Sequence, residues 1–209
     1  MAISNYTARK VQFKIVLYGP PHAGKTTTLN YIREHIDAES TSELQTLKSS
    51  ADKTLTFEFT PREVTLLDDF QLQFEISTVP GAVVFNAPRK LVLRDADGIL
   101  FIADSEWTKI ADDVANFKNL DENLKKLGAD VDDIPLVLAY NKRDLPDAAP
   151  AAYLDFVLNN RRRRVASFET CAASGKNIIP VLRALCETVV QRFLEGTPET
   201  AGAAAVAEV

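Results

Sequence analysis

One stretch near the start of the chain, residues 18–27, has the residue types and spacing of a phosphate-binding loop. It reads Tyr-Gly-Pro-Pro-His-Ala-Gly-Lys-Thr-Thr and fits the pattern G-x-x-x-x-G-K-[ST]. In such a loop the backbone N–H groups converge on a phosphate, and the positive end of the following helix favours the anion. Pro20 and Pro21 have no N–H donor, but the donors come mainly from the later half of the loop, residues 22–27.

The loop predicts different roles for its side chains and its backbone. Lys25 is expected to reach the β- and γ-phosphates of a nucleotide, and Thr26 is expected to offer its hydroxyl to Mg²⁺. His22 is expected to act through its backbone N–H, with its ring exposed. The predicted phosphate-contacting residues are Gly19, His22, Ala23, Gly24, Lys25, Thr26 and Thr27.

A second motif, Asn141 to Asp144, has the chemistry to select guanine. The carboxylate of Asp144 has acceptors for both the ring N–H and the exocyclic amine of guanine, a donor pair that adenine lacks. Asn141 is expected to brace the surrounding loops, and Lys142 is expected to cover the base. Together with the upstream phosphate-binding loop, this motif favours GTP and GDP as ligands and disfavours a P-loop kinase or an ATPase.

The elements around these motifs have the order that the chemistry requires. Residues 11–17 are β-branched and aromatic, which predicts a strand, and residues 27–34 have the apolar spacing of a helix. Further strands are predicted at 98–103, 134–140 and 165–170, and helices at 89–94, 107–127, 150–158 and 178–194. The alternation predicts an α/β fold with a mostly parallel sheet of six or seven strands and helices on both faces. The ligand is expected at the carboxyl ends of the strands.

The region between the first helix and residue 78 has weaker patterns. Residues 37–53 are polar and rich in Ser and Thr, so they are expected to form a long loop. Residues 54–59 and 70–76 alternate between apolar and polar side chains, which predicts an antiparallel pair of strands at an edge of the sheet. The chain is expected to form one domain over residues 1–195, followed by a disordered tail over residues 196–209.

The composition argues against several classes of protein. Of the 209 residues, 46% are hydrophobic and 25% are charged, as in ordinary globular proteins, and the net charge of −5 gives no general attraction to nucleic acid or anionic membranes. No apolar run approaches the ~20 residues that cross a bilayer, and the N-terminus lacks the apolar core of a signal peptide. The two cysteines form neither a disulfide framework nor a metal-binding pattern, which favours a reducing cytoplasm.

Taken together, the motifs resemble those of Ras-like small GTPases, and of the bacterial MglA type in particular. The segments that carry the resemblance are 53–59 (KTLTFEF), 78–81 (TVPG), 87–94 (APRKLVLR), 97–105 (DGILFIADS) and 140–146 (YNKRDLP). The TVPG element in place of D-x-x-G is specific to this type, and the resemblance covers about residues 14–194. It implies a GTP/GDP switch in cell polarity or gliding motility, with Mg²⁺ as the metal ion.

The resemblance also implies roles for residues outside the first two motifs. Thr54 is expected to sense Mg²⁺ and the γ-phosphate, Gly81 is expected to contact the nucleotide, and Lys53 stands where the family has a catalytic arginine. Residues 169–175 resemble the E-T-S-A-K loop, which assigns to the Ala172 N–H a contact with the guanine oxygen. The implied metal ligands are Thr26 and Thr54, and the implied catalytic residues are Lys25, Lys53 and Thr54.

The partners implied by the resemblance are proteins. A Roadblock/LC7-type, MglB-like GTPase-activating protein is expected, together with effectors that contact the switch loops around 50–60 and 78–90. On its own the chain is expected to be a cytoplasmic monomer that partners recruit to a cell pole. Neither nucleic acid nor stable membrane insertion is expected.

The sequence departs from the family pattern at the catalytic centre. Ala82 replaces the glutamine that orients the attacking water, Lys53 lacks the planar fork of arginine, and Pro21 replaces a loop glycine. Losing arginine-finger stabilisation alone lowers rates by roughly 10³–10⁵-fold. Thr78 stands in place of the aspartate that usually holds Mg²⁺ through water, and Glu58 is a candidate for a compensating carboxylate. Two hypotheses follow: a slow GTPase switch, or a hydrolysis-deficient scaffold that stays loaded with GTP.

Three further features have less specific interpretations. Residues 161–164 are four consecutive arginines, which are either a solvated helix end or a docking patch for an acidic partner, an acidic polymer or a membrane surface. Trp107 is expected in the core. Phe85 is expected to be exposed in one nucleotide state, where it would form part of a partner surface.

Overall fold

The computed structural model describes residues 3–5, 10–49, 52–62, 65–66, 70–81 and 86–196, which form one sheet with helices on both faces. Its strands are β1 (Ile3–Asn5), β2 (Lys10–Tyr18), β3 (Ala38–Thr41), β4 (Gln45–Ser49), β5 (Asp52–Pro61), β6 (Thr65–Leu66), β7 (Phe70–Thr78), β8 (Gly98–Asp104), β9 (Leu136–Asn141) and β10 (Ser167–Glu169). Its helices are α1 (Lys25–His35), α2 (Asn86–Leu93), α3 (Ile110–Lys126), α4 (Ala151–Leu158) and α5 (Ile178–Gly196).

Seven strands form the main path of the sheet, in the order β10-β9-β8-β2-β7-β5-β3. The four ladders from β10 to β7 are parallel, whereas β5 pairs antiparallel with both β7 and β3. The short strands β1, β4 and β6 pair beside this path with β2, β5 and β7. The predicted α/β fold is therefore confirmed, and β1, β3, β4 and β6 are additions to the strands that the sequence predicts.

The central strand β2 buries side chains on both faces of the sheet. Phe13 and Leu17 belong to a core that α1 and α5 cover, whereas Val16 and Tyr18 belong to a second core that α2, α3 and α4 cover. Successive residues of a strand project to opposite faces, so one strand serves both cores. The loop that follows β2 is thus anchored to both halves of the molecule.

Residues 37–53 do not form the predicted long loop. They contain β3 and β4, which both pair antiparallel with β5. The prediction was wrong because backbone hydrogen bonds to a neighbouring strand hold these polar segments, which have no apolar alternation to reveal them. The predicted pair β5 and β7 is antiparallel, but β3 and β4 cover the outer side of β5, so the pair lies inside the sheet.

Trp107 and the arginine run also differ from their predictions. Trp107 lies in a short 3-10 turn before α3 with 49% of its surface exposed, and its ring packs against Tyr153 with centroids 5.0 Å apart. Arg161 is largely buried because its guanidinium pairs with Asp132 and lies over the ring of Phe117. The other three arginines of the run are exposed, so a uniformly solvated run was the wrong interpretation.

Several expectations fall outside the described residues and stay predictions. They concern Ala82, Phe85, the Lys53 side chain and the tail from residue 197. In the part of the chain that the structure describes, no helix combines the length and the apolar character that crossing a membrane requires.

Candidate nucleotide-binding site

The phosphate-binding loop turns sharply between β2 and α1. Gly19 and Gly24 adopt positive φ angles of 144° and 104°, and His22 adopts one of 61°. Gly24 is the N-cap residue of α1, and no side chain caps this helix. Its first backbone N–H groups are therefore available as donors to a phosphate. His22 is exposed, as predicted, and Thr26, in the first turn of α1, is exposed as well.

The ammonium of Lys25 lies at the mouth of this loop. It donates to the Gly19 carbonyl at 2.9 Å and to the Pro20 carbonyl at 2.6 Å, and the residue is 7% exposed. A Cβ added to Gly81 would lie 3.1 Å from the ammonium nitrogen, so the loop and the TVPG element meet here. A phosphate is a stronger partner for this ammonium than neutral carbonyls, because both groups are then charged.

Asn141, at the end of β9, connects the phosphate-binding loop to the loop that follows β10. Its Nδ2 donates to the Ala23 carbonyl at 2.7 Å. Its Oδ1 accepts from the Ala172 N–H at 2.8 Å and from the Thr170 hydroxyl at 3.4 Å. The side chain is buried, so these bonds are shielded from water. The structure thus contains the brace that the sequence predicts for Asn141.

Asp144 lies in the turn after β9 with its carboxylate exposed. The Cys171 thiol donates to Oδ1 at 3.1 Å, and this hydrogen bond lowers the pKa of Asp144 below its ordinary value, so the carboxylate is ionised at neutral pH. Sequence reasoning missed this contact of Cys171. The Ala172 N–H already donates to Asn141, so a guanine oxygen would share that donor.

Lys142 is held beside the same turn by a buried carboxylate. Its ammonium pairs with Asp104, the last residue of β8, which is fully buried. The Asp104 N–H in turn donates to both oxygens of Asp113 on α3, at 3.0 and 3.2 Å. Burial raises the pKa of Asp113 to about 8. The position of Lys142 therefore depends on two buried acids, Asp104 and Asp113.

The raised pKa of Asp113 predicts a pH-dependent stability. Between about pH 4 and pH 8 the folded protein keeps a proton that the unfolded chain, with an aspartate pKa of about 3.9, has released. The free energy of unfolding is expected to fall as pH rises through this window, by up to about 1.4 kcal/mol per pH unit. Asp113→Asn is expected to remove that fall, as measured by urea unfolding at pH 5 and pH 8.

The matched control for this prediction is Asp112→Asn. Asp112 is the exposed neighbour of Asp113 on the same helix, so its substitution is expected to leave the pH dependence of wild type in place. A constant difference in unfolding free energy between wild type and Asp113→Asn at the two pH values would contradict the raised pKa.

Thr54 and Thr78 lie near the strand ends that border the loop. Thr78 pairs in register with Leu17, one residue before the end of β2. Its hydroxyl accepts from the Leu55 N–H at 3.0 Å, and this hydrogen bond connects β5 to the end of β7 that lies near the loop. Thr54, the residue before Leu55, is buried. Its predicted contact with Mg²⁺ stays a prediction.

The suggestion that Glu58 compensates for Thr78 at a metal site was wrong. The Glu58 carboxylate accepts from Gln12 at 3.0 Å and from Gln73 at 2.9 Å. Gln12 lies near the start of β2, and the phosphate-binding loop begins at its opposite end. Glu58 therefore stabilises the polar face of the sheet, far along the strands from the loop.

Comparisons with known proteins agree with this geometry. The family model described as 50S ribosome-binding GTPase matches residues 14–142. The mutual gliding-motility protein MglA of Myxococcus xanthus is 36% identical over 196 residues, which are 94% of this chain and 100% of that protein. The Ras-like protein RAS2 of Hydra vulgaris is 23% identical over 168 residues, or 80% of this chain and 79% of that protein.

The fold and the family match define a P-loop GTPase of the Ras-like class, and membership of this class implies a guanine nucleotide as the ligand. Within that class, the chain belongs to the MglA-type family. It is accordingly a Ras-like GTPase switch, and the resemblance inferred from the sequence motifs is confirmed.

Proposed function

We propose that this GTPase hydrolyses GTP slowly and acts as a switch in cell polarity or gliding motility, in the cytoplasm and with Mg²⁺. The observation that carries the proposal is the Asn141 bridge, which joins the phosphate-binding loop to the base-recognition loops in one unit. The printed name of the Myxococcus relative supplies the biological process. The residues proposed to contact nucleotide remain those of the phosphate-binding loop, with Thr54, Gly81, Asn141, Lys142, Asp144 and Ala172.

The donors at the start of α1 suit a magnesium ion. Thr26 exposes its hydroxyl in the first turn of this uncapped helix, and Thr54 is the second proposed hydroxyl ligand. Mg²⁺ prefers hard oxygen donors and is usually completed by phosphate oxygens and waters. When bound, the ion neutralises charge on the β- and γ-phosphates. Lys25 supplies a second positive charge from the loop itself.

Slow turnover follows from three substitutions at the catalytic centre. Ala82 has no side-chain group to orient a water molecule, and Lys53 keeps the charge of arginine without its bidentate fork. A Cβ added to Gly81 would lie 2.6 Å from the Cα of Pro21, so there is little space between the TVPG element and the loop. A partner that supplies missing groups in trans would raise the rate.

The proposed activator is a Roadblock/LC7-type, MglB-like protein. The proposed contact regions for the activator and for effectors are residues 50–60 and 78–90, around the two ends of β5 and β7 that face the loop. On its own the chain is proposed to be a monomer, and partners would recruit it to a cell pole.

Ala82→Gln is expected to raise the intrinsic rate of GTP hydrolysis, because glutamine restores a group that orients water. The expected gain is roughly 10²-fold, at the low end of what a positioned proton-transfer group contributes. The measurement is single-turnover hydrolysis of GTP, with and without a Roadblock-type partner. Ala152→Gln, at an exposed position of α4 outside the proposed partner regions, is the matched control.

The second candidate function is a scaffold that stays loaded with GTP. The close approach of Gly81 to Pro21 favours it, together with Ala82 and Lys53. GTP that persists with and without the partner, and that Ala82→Gln also leaves intact, would support the scaffold. Partner-stimulated hydrolysis by the wild-type protein would support the switch.

A further inference from the structure

Arg89, on α2, is the largest fully buried side chain among the described residues, with 0% of its surface exposed. Its Nε donates to the Pro80 carbonyl at 2.8 Å, and its Nη2 donates to the Gly81 carbonyl. These two carbonyls are consecutive in the TVPG element between β7 and α2. One guanidinium therefore fixes two successive peptide groups of this turn.

The central strand and α3 hold the same guanidinium from the other side. Its Nη1 donates to the Tyr18 hydroxyl at 3.0 Å and to Asn119 Oδ1 at 2.8 Å, and its Nη2 donates to Asn116 Oδ1 at 2.6 Å. The guanidinium carbon also lies 4.9 Å from the centre of the Tyr18 ring, in cation–π contact. Asn123 completes the cluster by donating to the Tyr18 hydroxyl at 3.3 Å and to Asn119 at 3.1 Å.

Burial of the Arg89 guanidinium has a large desolvation cost, which indicates that holding the turn has a role of its own. Burying a guanidinium removes several kcal/mol of hydration, which the hydrogen bonds of the cluster must offset. The contacts use all three nitrogens of Arg89, a fork that the single ammonium of lysine does not reproduce. Removing the guanidinium would leave the buried carbonyls of Pro80 and Gly81 without these donors.

The peptide between Pro80 and Gly81 gives the cluster its connection to the phosphate site. The described peptide bonds are trans, so the Pro80 C=O and the Gly81 N–H point in opposite directions. Because Arg89 holds the carbonyl, the N–H faces away from Arg89. Gly81 itself lies against the loop, since a Cβ added there would be 2.6 Å from Pro21 Cα and 3.1 Å from Lys25 Nζ.

We propose that Arg89 is a positioning residue for recognition of the third phosphate of GTP. By fixing the Pro80–Gly81 peptide, it aims the Gly81 N–H at the γ-phosphate, a group that GDP lacks. Arg89 is fully buried, so in this proposal it acts through the turn and not by its own contact with the nucleotide or the metal ion. The inference rests on the proposed function, because it requires a nucleotide at the Lys25 end of the loop. The preference for GTP over GDP then depends on a buried cluster that includes Tyr18 and Asn116.

The test compares two affinities in the same variant. Arg89→Lys keeps the positive charge and loses the fork, and its dissociation constants are measured in Mg²⁺ for fluorescent GDP and for a GTP analogue with an imido group between the β- and γ-phosphorus atoms. The expected result is about tenfold weaker binding of the GTP analogue, equivalent to about 1.4 kcal/mol, with GDP affinity changed less than about threefold. If Arg89 had a purely structural role, the variant would bind both ligands more weakly by the same factor.

Two further variants keep the test decisive if Arg89→Lys does not fold. Asn116→Ala removes one acceptor of the guanidinium without touching the TVPG element, and a smaller shift in the same direction is expected. Asn159→Ala removes a buried amide that bonds Val165 at 2.9 Å in a distant loop, and no shift in the affinity ratio is expected. Equal weakening of both ligands, or an unchanged ratio in Arg89→Lys and Asn116→Ala, would overturn the inference. Wild-type protein that binds neither nucleotide would instead overturn the proposed function.

Discussion

Asp144→Asn is expected to lose most of its affinity for GTP and to gain affinity for xanthosine triphosphate. The ionised carboxylate of Asp144 accepts from two guanine donors, whereas an amide has one acceptor and places its NH₂ against a donor of the base. Sites built on such hydrogen bonds reject the wrong partner by roughly 10⁴–10⁵-fold, and we expect a loss of roughly 10³-fold or more. Xanthine carries a carbonyl in place of the exocyclic amine, so the asparagine NH₂ has an acceptor there.

The measurement is competition binding of the two triphosphates to wild type and variant at one Mg²⁺ concentration. Asp147→Asn is the matched control, because Asp147 is an exposed aspartate three residues further along the chain. It is expected to keep the affinity of wild type for GTP. If Asp144→Asn bound GTP as wild type does, the base-recognition role of Asp144 would be wrong.

The parts of the fold that could be predicted are those whose residues signal burial by themselves. Strand β8 is a run of seven buried residues, and an apolar run of this kind indicates a strand covered on both faces. By contrast, β3 and β4 are polar strands that form by backbone pairing with β5, which follows β4 after only residues 50 and 51. Local pattern carries no information on such pairing, and the prediction of a loop failed there.

The candidate site divides in the same way. Its phosphate and base motifs are contiguous in sequence, so Lys25 and Asn141 could be assigned from spacing alone. The Arg89 cluster brings together β2, α2 and α3. Its asparagines, 116, 119 and 123, have the i, i+3, i+7 spacing of one helix face, but that spacing does not indicate that their shared partner is an arginine on α2. The proposed role of Glu58 was wrong for a related reason. The register of β5 against β7, which spacing in the sequence does not give, decides how far Glu58 lies from the phosphate-binding loop.

Gly24→Ala is expected to remove most nucleotide binding by breaking the Asn141 bridge. A Cβ at Gly24 would lie 2.2 Å from Asn141 Nδ2, and the φ angle of 104° is one that alanine rarely adopts. Moving the buried amide breaks its bonds to Ala23 and Ala172, and each buried group left unsatisfied costs about 1–3 kcal/mol. At about 1.4 kcal/mol per tenfold, GTP and GDP affinity are both expected to fall by roughly 10²-fold or more.

Gly128→Ala is the control that separates the effect of backbone strain from that of the clash between a Cβ at position 24 and Asn141. Gly128 also has a positive φ, of 80°, but a Cβ there meets nothing within 4 Å. It is expected to lose about 1–2 kcal/mol of unfolding free energy, the cost of a left-handed residue, and to bind both nucleotides as wild type does. Isothermal titration with GDP and urea unfolding measure the two effects on the same samples.

A double substitution then tests whether the clash acts through Asn141. If it does, Asn141→Ala alone weakens GDP binding, and adding Gly24→Ala to it lowers affinity by much less than Gly24→Ala lowers that of wild type. Contacting residues that share one set of hydrogen bonds are non-additive in this sense. Fully additive losses would mean that alanine at position 24 disturbs the loop directly, by strain at its own φ angle, and that the bridge is not what holds the phosphate and base loops together.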